Sequence, residues 1–240
     1  MSREIQNNKL IILGKLVAGI THEIRNPLSA IELELESINL SDKKLEPEIA
    51  ESLKACKEAT ERIKNIIENT LDFSRRETRG AAAHSLNGIA EQTLALLSAA
   101  ARKTNVTLIT RFGKNIPNII INKNKILQVT INLVNNGIEA CSKGGTVKIH
   151  TSVKKDGAVK LEVIDNGVGI RKENFDQIFS DFYTNKKGGT GLGLSVCKAI
   201  IEDQKASIKF TSKLGEGSRF TIEFPASLRE DNYGSENINN

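Results

Sequence analysis

Aromatic residues make up only 4% of the 240-residue chain, tryptophan is absent, and there are three cysteines and four prolines. The shortage of aromatics bears on the net charge of +5. A basic protein that grips nucleic acid usually gathers its cations into a run interleaved with rings. Here the lysines and arginines are spread along the chain with acids between them, which argues against nucleic acid as a partner. Cys56, Cys141 and Cys197 are odd in number, far apart and outside any metal-ligand spacing. They read as reduced core thiols of a cytosolic protein, and argue against disulfides and zinc. Long hydrophobic runs are missing too. The most apolar early stretch, LIILGKLVAGI, is interrupted by Lys15 and is too short to cross a bilayer. The expectation is no membrane span in this chain and a cytoplasmic location, with a membrane-anchored longer parent left open.

What is present is helical periodicity. Apolar residues recur at Leu10, Leu13, Val17, Ile20, Ile24, Leu28, Ile31, Leu35 and Ile38, an alternation of three and four with one extra step of four. This predicts one long amphipathic helix, bent beside Pro27, whose ring denies a hydrogen bond to the carbonyl of Glu23. After the polar SDKKLEPE, a second pattern runs through Ile49, Leu53, Cys56, Ile63 and Ile67 to about Arg76. Two helices and a short loop give an antiparallel hairpin. One apolar stripe per helix is poorly buried by a single hairpin, so pairing with a second copy into a four-helix bundle, and hence a homodimer, is expected.

His22 lies two residues from Ile20 and two from Ile24, so on a helix it points about 160 to 200° away from the seam. A core histidine would sit on the seam. A neutral imidazole is a competent nucleophile near neutral pH when a carboxylate takes up the developing positive charge, and Glu23 is adjacent. Asn26, four residues on, shares the face of His22 and could hold a phosphoryl oxygen or a water.

Around ETRGAAAHS the helical pattern stops, and small residues with Gly80 mark a linker. Beyond it, LNGIAEQTLALLSAAARK, KNKILQVTINLVNNGIEACSK and LGLSVCKAIIED read as helices. VTLITRF, NIIIN, TVKIHTSV, AVKLEVID, SIKFTSK and SRFTIEFP read as strands. The fold class is α+β: a helical hairpin forming a dimeric four-helix bundle, followed by an α/β sandwich with helices on one face of a mixed sheet. Three stretches carry chemistry. In DNGVGI, Asp165 ends a strand ahead of Gly167 and Gly169, so its carboxylate can project from a tight loop. In GGTGLGLS, glycines precede a helix, where backbone N–H groups suit phosphate oxygens. In QVTINLVNNGIEA, Asn132 and Asn136 lie one turn apart, and their neutral amide oxygens could coordinate a hard cation.

With these residues in this order, the chain resembles the cytoplasmic core of a bacterial two-component sensor histidine kinase, over about residues 10 to 225. HEIRNPL looks like the H box, QVTINLVNNGIEA the N box, DNGVGI the first glycine box, FSDFY the F box and TGLGL the second glycine box. The resemblance implies a dimerisation and phosphotransfer domain over residues 1–79 and a GHKL-type ATP-binding domain over 80–228; the last residues, 229–240, are a polar tail whose composition predicts disorder. The resemblance also implies His22 as phosphoacceptor, Glu23 as its acid/base partner and Asn26 as the residue that contacts the phosphoryl group and positions water in a reverse phosphatase reaction. Asn132 and Asn136 match the magnesium-binding asparagines and Asp165 the carboxylate that receives the adenine amino group, with Gly167 and Gly169 in the loop beneath the base. Gly189, Thr190, Gly191, Leu192 and Gly193 match the phosphate-facing turn. Lys186 or Lys187 approaches the phosphates, Ser218 of GEGSRF lies near the nucleotide, and Phe179, Phe182 and Tyr183 look like lid anchors. ATP and Mg²⁺ are the implied cofactors, and a response-regulator receiver domain is the implied partner that accepts the phosphoryl group on an aspartate. The alternative readings are a phosphatase-biased enzyme and a non-catalytic nucleotide-sensing dimer that docks a response regulator. The chain departs from the pattern at EDQKASI, where relatives carry glycine, so Gln204 and Lys205 are expected to make a different helix cap. It departs also in the F box, where Ser180 and Asp181 replace the usual acid and proline.

Overall fold

A computed structural model describes residues 28–31, 33–35, 38, 48–57, 59–60, 81–141, 144–185 and 191–232. The chain divides into two units, one built on residues up to 78 and one on residues 79 onward. In the first, the described residues between 28 and 38 and between 48 and 60 are helical, as the apolar spacing predicts. The expected bend at Pro27, the histidine face at His22, Glu23 and Asn26, and the second helix beyond 60 lie outside the described residues. Leu28 is buried, whereas Ile31, Ile38 and Ile49 of the apolar stripes are 40 to 49% exposed. Cys56 is exposed rather than a core thiol, because it lies on the same uncovered stripe as Ile49.

In the second unit, among the described residues, strand β1 (Ala82–His84) is followed by helix α1 (Leu86–Lys103), strands β2 (Thr107–Arg111) and β3 (Ile119–Ile121), and helix α2 (Lys123–Ala140). Strands β4 (Thr146–Val153) and β5 (Val159–Asp165), helix α3 (Gly193–Asp203), and strands β6 (Ser207–Lys213) and β7 (Gly217–Phe224) complete it. The main sheet has the order β2-β4-β5-β7-β6, with β2 parallel to β4 and the other pairs antiparallel. It is mixed, as expected. The stretch AAAHS, read as linker, instead contributes β1, which pairs antiparallel with β3; its small residues leave no apolar run to betray a strand.

Helices α1 and α2 each start where a polar side chain caps them, whereas α3 follows Leu192 with no side-chain cap. Ser85 accepts from Gly88 N–H at 3.3 Å ahead of α1, and Asn122 accepts from Lys125 N–H at 3.1 Å ahead of α2. One face of α2, carrying Ile126, Val129, Leu133, Val134 and Ile138, is buried, and the helix packs on α1, α3 and strands β4, β5 and β7. Strand alternation supplies the other side of this core: Val147 and Ile149 from β4, Leu161 and Val163 from β5, Phe220, Ile222 and Phe224 from β7. The intervening residues lie on the opposite face, where Glu162 is a buried charge. His150 Nδ1 lies 2.9 Å from Glu162 Oε2, while Arg219 and Thr221 donate to Oε1 at 3.1 and 3.3 Å. Burial opposes its ionisation, but the hydrogen bonds from His150 and Arg219 outweigh burial and hold the carboxyl below its ordinary value.

The cap of α3 follows the departure seen at EDQKASI. Gln204 caps the helix, and Lys205 takes the left-handed conformation, φ +56°, that ordinarily favours glycine. Gln204 compensates by accepting the N–H of Asn122 on its Oε1 at 2.7 Å, joining the end of α3 to the start of α2. The polar end of the chain is not wholly loose: Glu230 N–H donates to Asn118 carbonyl oxygen at 3.0 Å, and Asn118 Nδ2 donates to Glu230 Oε2 at 3.0 Å. The disorder expected from residue 229 therefore does not extend over 229–232. Among the described residues no helix is long and apolar enough to cross a membrane.

Two outcomes follow. Lys205→Gly relieves the left-handed strain and raises stability by ~0.5 to 1 kcal/mol, whereas β-branched Lys205→Val lowers it, both read by urea denaturation. For Glu162, a folded value below the unfolded one means that its stabilisation is complete above the ordinary 4.5 and is lost as pH falls through the folded value. The stability gap between wild type and Glu162→Gln, measured from neutral pH downward, closes below pH 4.5.

Candidate nucleotide site

The site is assembled at one end of the sheet. Asp165 closes β5 in the same alternation as Leu161 and Val163, so its carboxylate lies on the helix-covered side, 6% exposed. A carboxylate so placed needs hydrogen-bond donors in place of water. Two backbone groups supply them: Gly167 N–H donates to Asp165 Oδ1 at 2.9 Å and Ser218 N–H at 3.2 Å. The next residue, Asn166, accepts on Oδ1 from Thr146 N–H at 2.6 Å, and so ties the loop to the start of β4.

These contacts require close backbone approach. A Cβ at Gly217, whose φ is +100°, would lie 2.1 Å from the carbonyl oxygen of Asp165. At Gly167 it would lie 2.4 Å from the carbonyl oxygen of Ala140 at the end of α2, and at Gly169, φ +69°, 2.1 Å from that of Lys213. Gly137 on α2 faces Val147 at 3.1 Å and Asp165 Cβ at 3.4 Å, which lets the helix settle against the strand beside the carboxylate. The loop DNGVGI is thus clamped between α2 and the β6–β7 turn, with Val168 N–H donating to Ala140 and Gly215 N–H to Val168 carbonyl oxygen.

Farther back along α2, Asn132 meets the start of α3. Asn132 Nδ2 donates to Gly193 carbonyl oxygen at 3.3 Å, which assigns its Oδ1 as the acceptor end of the amide. A Cβ at Gly193 would stand 3.4 Å from that Oδ1. Beneath them Cys197 is fully buried, and burial pushes its thiol up to about 12 against the effect of its hydrogen bond with Asn132. It is an inert core thiol, as expected. A neutral amide oxygen such as Asn132 Oδ1 is the kind of ligand that suits a cation arriving with phosphate and keeping most of its waters, as Mg²⁺ usually does. No group of three or more His, Cys, Asp or Glu poised for a metal occurs among the described residues.

The F box divides. Phe179 packs against the core with its ring 5.9 Å from that of Phe210, and Lys198 Nζ sits 5.9 Å over it. Tyr183 is half-buried against the same core. Phe182 is no ring anchor: it is 75% exposed, with φ +64°. Its backbone does the packing, since a Cβ at Gly191, φ +68°, would lie 2.3 Å from Phe182 carbonyl carbon. Leu192 is the residue that precedes α3. Lys186, Lys187, Gly189 and Thr190 lie outside the described residues.

Comparison with known proteins finds the following similarities. Residues 12–79 match the family model described as His Kinase A (phospho-acceptor) domain, and residues 121–228 that of the histidine kinase-, DNA gyrase B- and HSP90-like ATPases. Signal transduction histidine-protein kinase AtoS of Escherichia coli (strain K12) is 32% identical over 93% of this chain and 36% of its own length. Sporulation kinase C of Bacillus subtilis (strain 168) is 35% identical over 94% and 51%. Among solved structures, the catalytic domain of histidine kinase ThkA is 33% identical with a TM-score of 0.56, covering 61% of this chain and 95% of that one. ThkA crystallised with response regulator protein TrrA is 28% identical with a TM-score of 0.65, covering 92% and 64%.

The chain belongs to the sensor histidine kinase family. It spans about half the length, or less, of these two curated relatives. Within this histidine kinase core the structure brings together Asp165, Gly167, Gly169 and Ser218 at one end of the site, and Asn132, Gly191, Leu192 and Gly193 at the other, with α2 common to both. Sequence reasoning passed over Gly137, Asn166, Ser212 and Gly217. A glycine inside a helical pattern was the available signal for Gly137. Asn166 Oδ1 and Ser212 Oγ accept the N–H groups of Thr146 and Ile170, and Gly217 acts by close backbone approach to Asp165, all contacts between distant segments that no local pattern announces.

The glycine contacts make a sharp contrast. Gly215 and Gly217 both have positive φ, but a Cβ at Gly215 meets nothing within 4 Å. Gly215→Ala therefore costs about 1 kcal/mol from conformation alone, while Gly217→Ala adds the clash with Asp165 and costs at least about 3 kcal/mol. Denaturant midpoints of the two variants give the comparison.

Proposed function

We propose that this chain is an ATP-dependent protein-histidine autokinase, with residues 1–79 as the dimerisation and phosphotransfer domain and 80–228 as the catalytic domain. The observation that carries this reading is the buried carboxylate of Asp165, whose Oδ1 is fixed by the N–H groups of Gly167 and Ser218. An ionised carboxylate only accepts hydrogen bonds, so it suits the exocyclic amine of adenine and rejects the 6-oxo group of guanine. Sites of this kind discriminate by about 10⁴-fold or more when a partner is missing. The base would rest on the loop of Gly167 and Gly169, and the phosphates would lie toward the start of α3, with Gly189, Thr190, Gly191, Leu192 and Gly193 turning backbone N–H groups to them and Lys186 and Lys187 offsetting their charge.

Asn132 and Asn136 would hold Mg²⁺, which when bound offsets phosphate charge. The protein's own contribution is largely positioning and electrostatics. An imidazole nitrogen of His22 attacks the γ-phosphorus, the bond to the β-phosphate oxygen breaks, and ADP leaves. Glu23 takes up the positive charge that develops on the ring by accepting the proton of its other nitrogen. The phosphoryl group then passes to an aspartate of a response-regulator receiver domain, a partner supported by the ThkA relative's complex with response regulator protein TrrA. Asn26 would contact the phosphoryl group and position water for the reverse, phosphatase reaction. A homodimer is supported by the His Kinase A match and by the 40 to 49% exposure of Ile31, Ile38 and Ile49 on helices whose stripes need a cover.

Hydrolytic GHKL relatives carry a glutamate base where this chain has Asn132, so water is poorly activated here and free phosphate release is slow. Purified protein incubated with γ-labelled ATP and Mg²⁺ acquires acid-labile, base-stable label that is absent from His22→Gln, while Asp165→Asn lowers ATP affinity at least about tenfold. Label surviving in His22→Gln, or phosphate release from it faster than wild type labels, contradicts the reading. ATP binding without any label moves the balance to the phosphatase.

A further inference from the structure

At the base end of the site, one hydroxyl has its hydrogen-bond direction dictated by another. Val147, Asp165, Ser218 and Ser212 are register partners across β4, β5, β7 and β6, so they form a row over adjacent strands. Ser218 is 7% exposed and Ser212 half-buried. Ser212 Oγ accepts the N–H of Ile170 at 2.8 Å, lies 2.8 Å from the carbonyl oxygen of Gly217, and lies 3.0 Å from Ser218 Oγ. A serine hydroxyl has one hydrogen and two acceptor lone pairs. A carbonyl oxygen cannot donate, so the hydrogen of Ser212 goes to Gly217. The contact between the two hydroxyls is then a hydrogen bond only if Ser218 is its donor.

Ser218 has therefore committed its backbone N–H to Asp165 Oδ1 and its hydroxyl hydrogen to Ser212. Only acceptor capacity remains on its oxygen. We infer that Ser212 is a specificity-determining residue of the nucleotide site, acting through Ser218: it turns the Ser218 hydroxyl into a pure acceptor beside the acceptor-only carboxylate of Asp165. The base end then presents these two side chains as acceptors to the exocyclic amine of adenine, and offers a 6-oxo purine no donor from either. Ser212 is a positioning residue, since it acts through Ser218. The inference rests on the assignment of this site to ATP.

Removing Ser212 frees the Ser218 hydrogen to rotate toward a 6-oxo group. Calorimetric titration of the full chain with ADP and with IDP, which differ at this position of the base and undergo no phosphotransfer, reads the effect. Wild type prefers ADP; Ser212→Ala lowers the ADP-to-IDP affinity ratio about tenfold, the worth of one hydrogen bond changed from mismatched to matched. Ser212→Thr, which keeps the hydroxyl, keeps the ratio. In a Ser218→Ala background, Ser212→Ala leaves the ratio where Ser218→Ala alone put it. Equal weakening of both nucleotides by Ser212→Ala marks a strand bridge only and overturns the inference. Ser218→Ala alone lowers the ratio too, and an unchanged ratio there overturns it even if Ser212→Ala fails to fold. A wild type that binds neither nucleotide fails at the ATP assignment itself and takes this inference with it.

Discussion

A negative charge at the end of a core strand must be solvated by the fold, and much of the site's architecture answers that requirement at Asp165. Water cannot serve a carboxylate that is 6% exposed, and an unpartnered buried charge would cost several kcal/mol or more. The donors come from backbone, Gly167 on the same chain turn and Ser218 on the neighbouring strand. Backbone donors reach so close only where no Cβ intervenes, and that explains the glycines at 137, 167 and 217 better than flexibility does. At two of these three the contact that excludes a side chain is with a carbonyl group, which has nowhere to move.

The same requirement gives α2 its place. Its buried face anchors the core, its C-terminal carbonyl at Ala140 receives the loop that follows Asp165, and Asn132 in its middle engages the first carbonyl of α3. Its N-terminal end is held by Gln204 from the far end of α3. Both ends of α3 are thus joined to α2, its start by the amide of Asn132 and its end by that of Gln204. A strained left-handed Lys205 is tolerated because the residue beside it makes that second join, so the cap departs from glycine while the helix pair keeps its register.

Most of this was legible as pattern and little of it as contact. Strand alternation in TVKIHTSV and AVKLEVID placed β4 and β5 as a hairpin, and the glycines around Asp165 marked the loop, because both signals are local in sequence. β1 escaped because AAAHS has neither β-branched residues nor alternation; it is a strand only because β3 lies alongside. Phe182 misled for the opposite reason. An aromatic in a lid motif reads as an anchor, yet the positive φ turns the ring outward and leaves the backbone to pack on Gly191. Ser212 is a lone hydroxyl among polar alternating residues, and its contacts join segments 42 and 6 positions apart that no spacing rule connects.

The distribution of these features also follows from how the two ends of a nucleotide differ. A base is told from its analogues by the direction of single hydrogen bonds, which requires donors and acceptors held to a fraction of an ångström. In the proposed assignment, Asp165, Ser218 and Ser212 would meet that need by sitting in strand register, where ladder bonds on both sides fix β5 and β7. Phosphates are recognised by charge and by a shell of N–H groups, interactions that fall off slowly with distance and tolerate looser placement. The residues assigned to them accordingly come from a glycine-rich connection and the start of a helix rather than from the sheet. Under that proposal, selectivity for the base would rest on the residues that share strand register, and binding of the phosphates on residues that do not.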